Sequence, residues 1–159
     1  MPFAQRPSPI ARVAKHIMAS QLPTKLHLQI ISTVRSVVNA QVDEVEIPGA
    51  EGYFGVLPGH TPLLALLGTG EMWYRQGNQT TYLALSGGFA EVLPDRVTML
   101  TRIAERPDEI DVARAEAAKK RAEDRIAAQY PDIDYERARL ALFKALMRLQ
   151  VATRVRVRV

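Results

Sequence analysis

The chain has 159 residues, 47% of them hydrophobic and 24% charged, with a net charge of +4 and a pI near 9.6; that is enough for one sizeable core or for two small units sharing an interface. It contains no cysteine, and its three histidines, His16, His27 and His60, lie far apart, which excludes disulfides, thiolate chemistry and a histidine-spaced metal site. The most apolar run, "PLLALLG" at 62–68, is far short of the roughly 18 residues that span a bilayer, so membrane association is expected only through a partner.

The basic pI invites a nucleic-acid reading until the charges are located. Residues 1–42 carry five cations and no acid, 43–107 carry eight acids against four arginines, 108–150 balance nine against nine, and Arg154, Arg156 and Arg158 restore the excess. The basicity therefore sits at the two ends. A nucleic-acid-binding β-barrel, the competing expectation, needs basic and aromatic side chains interleaved on its strands. Here Trp73 and Tyr74 lie beside Glu71 and Arg75 in the acidic middle.

In chain order, residues 1–24 are acid-free and interrupted by prolines; a disordered extension, or an upstream start with Met18 as initiator, is expected rather than a transit peptide. From Lys25 to residue 106 the sequence reads as short strands. "KLHLQII", with Leu26, Leu28 and Ile30 alternating, is followed by "VDEVEIP", "EMWYRQ", "TTYLALS", "GFAEVL" and "RVTML". "GAEG", "LPGHTP", "GTG", "RQGNQ", "SGG" and "LPDR" supply turns between them. This spacing predicts an all-β sandwich or flattened barrel.

All nine glycines fall between Gly49 and Gly88, and only Pro131 of the ten prolines lies beyond Pro107. The character of the chain changes near "AERPDEID", where a domain boundary is expected. Residues 107–152 then predict two helices: one capped by Asp108 and running to about Gln129, a break at "YPDID", and one capped by Asp134. Ala138, Ala141, Leu142, Ala145, Leu146 and Leu149 form an apolar stripe on the second helix, answered by Ala113, Ala117, Ala118 and Ile126 on the first. The short connection favours an antiparallel hairpin. Alanine-rich helices bury little area, so the hairpin is expected to depend on docking and to be an element that moves. The tail 153–159, "TRVRVRV", is expected to be disordered.

No phosphate-loop, dinucleotide or nucleophile-elbow motif occurs, and no carboxylate lies in an apolar stretch that marks a general acid. No catalytic residue is assigned, and the chain is not expected to be an enzyme. "GAEGYFGVLPGHTPLL", "LALSGGFAEVLPDRVTML", "AERPDEIDVARAEAAKKRAEDRI" and "DIDYERARLALFKALMRLQVA" together resemble the epsilon subunit of the bacterial F-type ATP synthase, over about Lys25 to Ala152. The resemblance implies a β-sandwich followed by a helical hairpin. It implies a non-catalytic central-stalk subunit at the cytoplasmic face of the bacterial membrane. Such a subunit binds the gamma subunit and the c-subunit ring, and reaches the alpha and beta subunits of the catalytic head when the hairpin extends and restrains ATP hydrolysis.

Carried onto this chain, the resemblance places Glu51, Gly52 and Tyr53 at the c-ring interface and His60, Ser86, Gly87, Gly88 and Phe89 near gamma. "IDVARA" fits a pattern that marks a regulatory ATP site in some relatives, with Ile110, Asp111, Arg114 and Ala115 at its core and Glu105, Arg121, Lys144 and Arg148 around it. No other cofactor is expected. The residues agree with that chemistry: Arg114 and Arg121 are seven apart, Lys144 and Arg148 four apart, and arginine forks bind phosphate with two parallel bonds. An ordinary Asp111–Arg114 ion pair is the competing account. Lys144 stands where ATP-binding relatives have arginine, keeping the charge without the planar fork.

Overall fold

A computed structural model describes residues 22–128 and 134–154; the expectations for residues 1–21, for Gln129 and most of the "YPDID" break, and for the tail beyond Arg154 lie outside them. Eight strands come first: β1 Leu26–Ser32, β2 Ser36–Val42, β3 Glu44–Gly49, β4 Gly52–Val56, β5 Leu63–Leu66, β6 Thr69–Gln76, β7 Gln79–Leu93 and β8 Arg96–Glu105. A 3₁₀ turn, Pro107–Glu109, leads to helices α1 Val112–Ala127 and α2 Tyr135–Thr153. The strand order is β2-β1-β8-β7-β6-β3-β4, with β5 paired to β7. β1 and β8 run parallel.

The expected turn at "SGG" is not a turn. "TTYLALS" and "GFAEVL" belong to the single 15-residue strand β7, which pairs with β6 up to Ser86 and with β5 from Phe89 onward. Gly87 (φ 68°) and Gly88 (φ 114°) bend it between the two partners. A Cβ on Gly88 would overlap the Leu100 carbonyl oxygen and approach the Thr101 Cα at 2.8 Å. Glycine is required here for close approach as well as for its backbone angle. Bent there, the sheet folds over itself into two layers.

The alternation read from "KLHLQII" is present, with Leu26, Leu28 and Ile30 fully buried. They meet Val45, Ile47, Met72, Leu83, Leu85, Val92, Val97 and Met99, all inaccessible to solvent. Each such side chain contributes roughly 1.5–3 kcal/mol on burial. The sandwich is therefore the stable body of the molecule.

The hairpin has a thinner basis. Its seam is Ala115 and Ala122 on α1 against Ala138 and Ala145 on α2, and the two pairs share a seven-residue spacing. Ala113 and Ala117, expected in the seam, are exposed, as are Ala141 and Leu146. On α2 the stripe read from sequence blends two buried apolar faces with a third, Leu140, Phe143 and Leu146, that stays exposed. The first receives α1; the second, with Met147 and Val151, meets the sandwich alongside Ala84 and Ile110. Helix α1 packs chiefly on α2.

The start of α1 also differs from expectation. Asp108 lies in the 3₁₀ turn, where the Arg106 backbone N–H donates to the Glu109 carboxylate at 3.0 Å, and the N-cap of α1 is Asp111. Arg35, on the β1–β2 turn, pairs with Glu109. Burial raises the Glu109 carboxyl, but the bonds from Arg35 and Arg106 outweigh it and hold the group below its usual range. Extended backbone at Ile110 (φ −78°, ψ 118°) separates the 3₁₀ turn from the helix and delivers Ile110 to the cluster under α2. Asp134 caps α2 as expected.

Candidate interaction surfaces

The outer face of the β6-β7-β8 layer carries a cross-strand row, Glu71–Ala84–Glu105, and the C-terminal turns of α2 lie on it. Arg148 donates from Nε and Nη2 to the two Glu105 carboxylate oxygens at 2.6 and 3.0 Å. Arg154 does the same to Glu71 at 3.0 and 2.7 Å. Between them Val151 and Met147 pack with Ala84 and Ile110. The Arg154 guanidinium also sits 4.5 Å from the centroid of the Tyr82 ring. The bond to Glu71 raises the Arg154 pKa above its ordinary value. Each bidentate pair is partly exposed and contributes on the order of 1 kcal/mol, with a cation–π contribution of about 0.5–1 kcal/mol. Nothing in the sequence assigns Glu71, Tyr82, Ala84 or Arg154 to a common site. The available signal was Arg148, Val151 and Arg154 at three-residue steps on one helix face.

Of the residues assigned to a nucleotide, the fold brings Glu105 to Arg148 and places Ile110 beneath α2. Asp111 does not form the ordinary ion pair. Its carboxylate accepts the backbone N–H of Arg114 at 2.9 Å, a capping bond that leaves the Arg114 guanidinium in solvent. Ala115 is a seam residue, 4% exposed, which brings the backbones of the two helices close. Arg114, Arg121 and Lys144 each directly precede a seam alanine. In an antiparallel pair such positions lie on the same side of both helices. Among the described residues none of these three cations has a carboxylate within ion-pair distance.

The residues expected near gamma separate into two groups. Ser86 and Gly87 are buried: Ser86 Oγ shares a hydrogen bond with Thr69 Oγ1 at 2.8 Å, and Thr101 Oγ1 donates to the Gly87 carbonyl at 2.7 Å. With Gly88 they build the bend. Phe89 points outward, 45% exposed, between its cross-strand partners Leu66 (70%) and Leu100 (38%). Leu100 continues the row to Ile31 on β1. Leu64, two residues before Leu66 on the same face, is 72% exposed. This is a contiguous apolar row on the outer face of the layer opposite the hairpin. His60 belongs to the loop before β5, its Nδ1 2.6 Å from the Thr61 carbonyl oxygen, and Gly59 N–H ties that loop to the Pro94 carbonyl at 2.7 Å.

Glu51 and Gly52 lie at the exposed tip of the β3–β4 connection, and Gly52 has φ 134°. Tyr53 is 58% exposed, yet it leans back over Gly70, where a Cβ would collide with its hydroxyl and with Pro48. Desolvation, with the Glu71 and Glu46 charges added, raises the Tyr53 pKa. Trp73 is likewise engaged, donating from Nε1 to Glu46 at 3.0 Å, so it does not form a free stacking platform.

The family model described as the ATP synthase delta/epsilon chain β-sandwich domain matches residues 25–107, and the model for the long α-helix domain of the same chains matches residues 108–153. The "ATP synthase epsilon chain 2" of Syntrophotalea carbinolica is 47% identical over 131 residues, covering 82% of this chain and 95% of that one. The "ATP synthase epsilon chain" of Syntrophobacter fumaroxidans is 48% identical, covering 80% and 96%. In fold, the structure is similar to a chain in the cryo-EM structure of the Euglena gracilis mitochondrial ATP synthase (OSCP, F1 and c-ring), with a TM-score of 0.70 at 24% identity, covering 92% of this chain and 96% of that one. Sandwich, docked hairpin and family matches converge: the chain belongs to the delta/epsilon chain family of ATP synthases, as a non-catalytic subunit of the epsilon type.

Proposed function

We propose that the chain works in the central stalk, gripping the gamma subunit through the Leu64–Leu66–Phe89–Leu100 face and meeting the c-subunit ring with the β3–β4 tip around Glu51, Gly52 and Tyr53. The observation that carries this reading is the exposed apolar row, which a protein alone in water has no use for and which a permanent partner would cover. No helix among the described residues is long and apolar enough to cross a membrane. The subunit sits on the cytoplasmic face of the bacterial membrane through its partners.

The hairpin regulates. Docked, it rests on the sandwich; released, it extends toward the alpha and beta subunits and restrains ATP hydrolysis. A chain ending at Arg106 will keep the sandwich and still join the complex, and the assembled enzyme will hydrolyse ATP several-fold faster. Unchanged hydrolysis in that enzyme removes the restraint and leaves the stalk role standing.

The nucleotide reading rests on the cations of the hairpin side. Arg114, Arg121 and Lys144 are available for phosphate oxygens, and Arg148 joins them only by sharing its fork with Glu105. Lys144 supplies charge without a fork, which favours weak binding. Calorimetric titration of the full chain with ATP will show heat that Arg114→Ala reduces at least tenfold in affinity. Silence at millimolar ATP removes the site.

A further inference from the structure

We propose that the Glu71–Ala84–Glu105 row is a register-reading receptor for the sequence R-x-x-V-x-x-R of α2 (Arg148, Val151, Arg154), and that Arg154 is its closing latch. This rests on the reading that the hairpin leaves the sandwich. The three receptor residues are direct cross-strand neighbours on β6, β7 and β8, and adjacent strands are about 4.8 Å apart. Three helical residues rise about 4.5 Å. The helix therefore crosses the strands with its repeat matched to theirs. Arg148 falls on Glu105, Val151 with Ala84, and Arg154 on Glu71.

A slip of one turn breaks every element of this match. Arg148 would come over Ala84 with no carboxylate, and Val151 would cover Glu71, whose side chain is only 11% exposed. Burial of an unpaired charge opposes that state strongly. Docking is thus confined to one register, and it is held at both ends of a small apolar contact. Of the two arginines Arg154 is the more exposed, its side chain 41% accessible against 29% for Arg148, and it stands beyond the last residue of the helix. Release starts there, at the last turn of the helix, once Arg154 leaves Glu71 and the face of Tyr82.

The full chain tests this directly, because it has no cysteine of its own. Labels at Asn78→Cys and Ala117→Cys, both exposed, report the distance between sandwich and hairpin by pulsed electron spin resonance. Glu71→Gln and Arg154→Ala will each raise the undocked fraction fivefold or more. The swap Glu71→Arg with Arg154→Glu will recover at least half of that loss, and raising salt will undock the parent chain but have less effect on the single variants. An increase below fivefold in Arg154→Ala, which lies outside the sheet, overturns the latch; so does a swap no better docked than the single variants while circular dichroism shows an intact sandwich. Hydrolysis by the enzyme assembled with the same variants separates the two ideas. Changed distances with unchanged hydrolysis sink the restraint and keep the latch.

Discussion

Gly88→Ala will cost the sandwich about 3–5 kcal/mol, among the largest effects of any single methyl group in this chain. The added Cβ meets backbone, the Leu100 carbonyl and Thr101 Cα, which cannot rotate away as a side chain can. The backbone angle at Gly88, φ 114°, is also one that L-residues avoid. Gly77→Ala is the control, since Gly77 has a positive φ of 57° but nothing within 4 Å of its virtual Cβ; it should cost about 1 kcal/mol, from the backbone angle alone. Urea unfolding of the two variants isolates the collision. A Gly88→Ala protein as stable as Gly77→Ala shows that the bend relaxes freely.

The double variant Leu66→Asp with Phe89→Asp will fold normally and fail to join gamma. Both side chains are largely exposed in the isolated subunit, at 70% and 45%, so their loss removes little of the core. In a complex they would be neighbours at the centre of a desolvated face, where each is worth on the order of 2 kcal/mol and a buried carboxylate costs more. Affinity for gamma should fall at least hundredfold, read by co-purification and by titration, with the melting curve of the free subunit unchanged within a few degrees. A variant that still binds gamma within tenfold of the parent would move the interface elsewhere.

The sequence made the class of fold legible because the two halves obey different periods. Leu26, Leu28 and Ile30 alternate as a half-buried strand must, while the region after Pro107 is rich in helix formers and nearly free of breakers. It left the path of the sheet hidden. Gly87 and Gly88 look the same whether they make a turn or bend one strand; only pairing to β5 on one side and β6 on the other decides between them. Strand β2, "SVVNAQV", was also missed, since its polar centre weakens the alternation and its partner lies across a short turn.

The candidate surfaces show the same division. The resemblance puts Phe89 near a partner, and its side chain faces outward, whereas Ser86 and Gly87, in the same segment, are buried in the bend. Asp111 and Arg114 have the spacing of an ion pair, and the capping bond that forms instead depends on where the helix starts. That start is set by Glu109 and the 3₁₀ turn, not by helix propensity. The clasp was invisible for a different reason. Glu71 and Arg154 are 83 residues apart, and nothing local in either stretch marks it for the other.

The apolar row and the hairpin floor both use β7, Phe89 in one and Ala84 in the other, but on opposite outer faces of the sandwich with the core between them. Face-to-face sheets lie about 10 Å apart, a separation at which substitutions act independently. Free energies of variants at Arg154 and at Leu66 should therefore add, and a double-mutant cycle between them should close near zero. A subunit arranged in this way can let its hairpin come and go while its hold on the rest of the machine keeps the same strength.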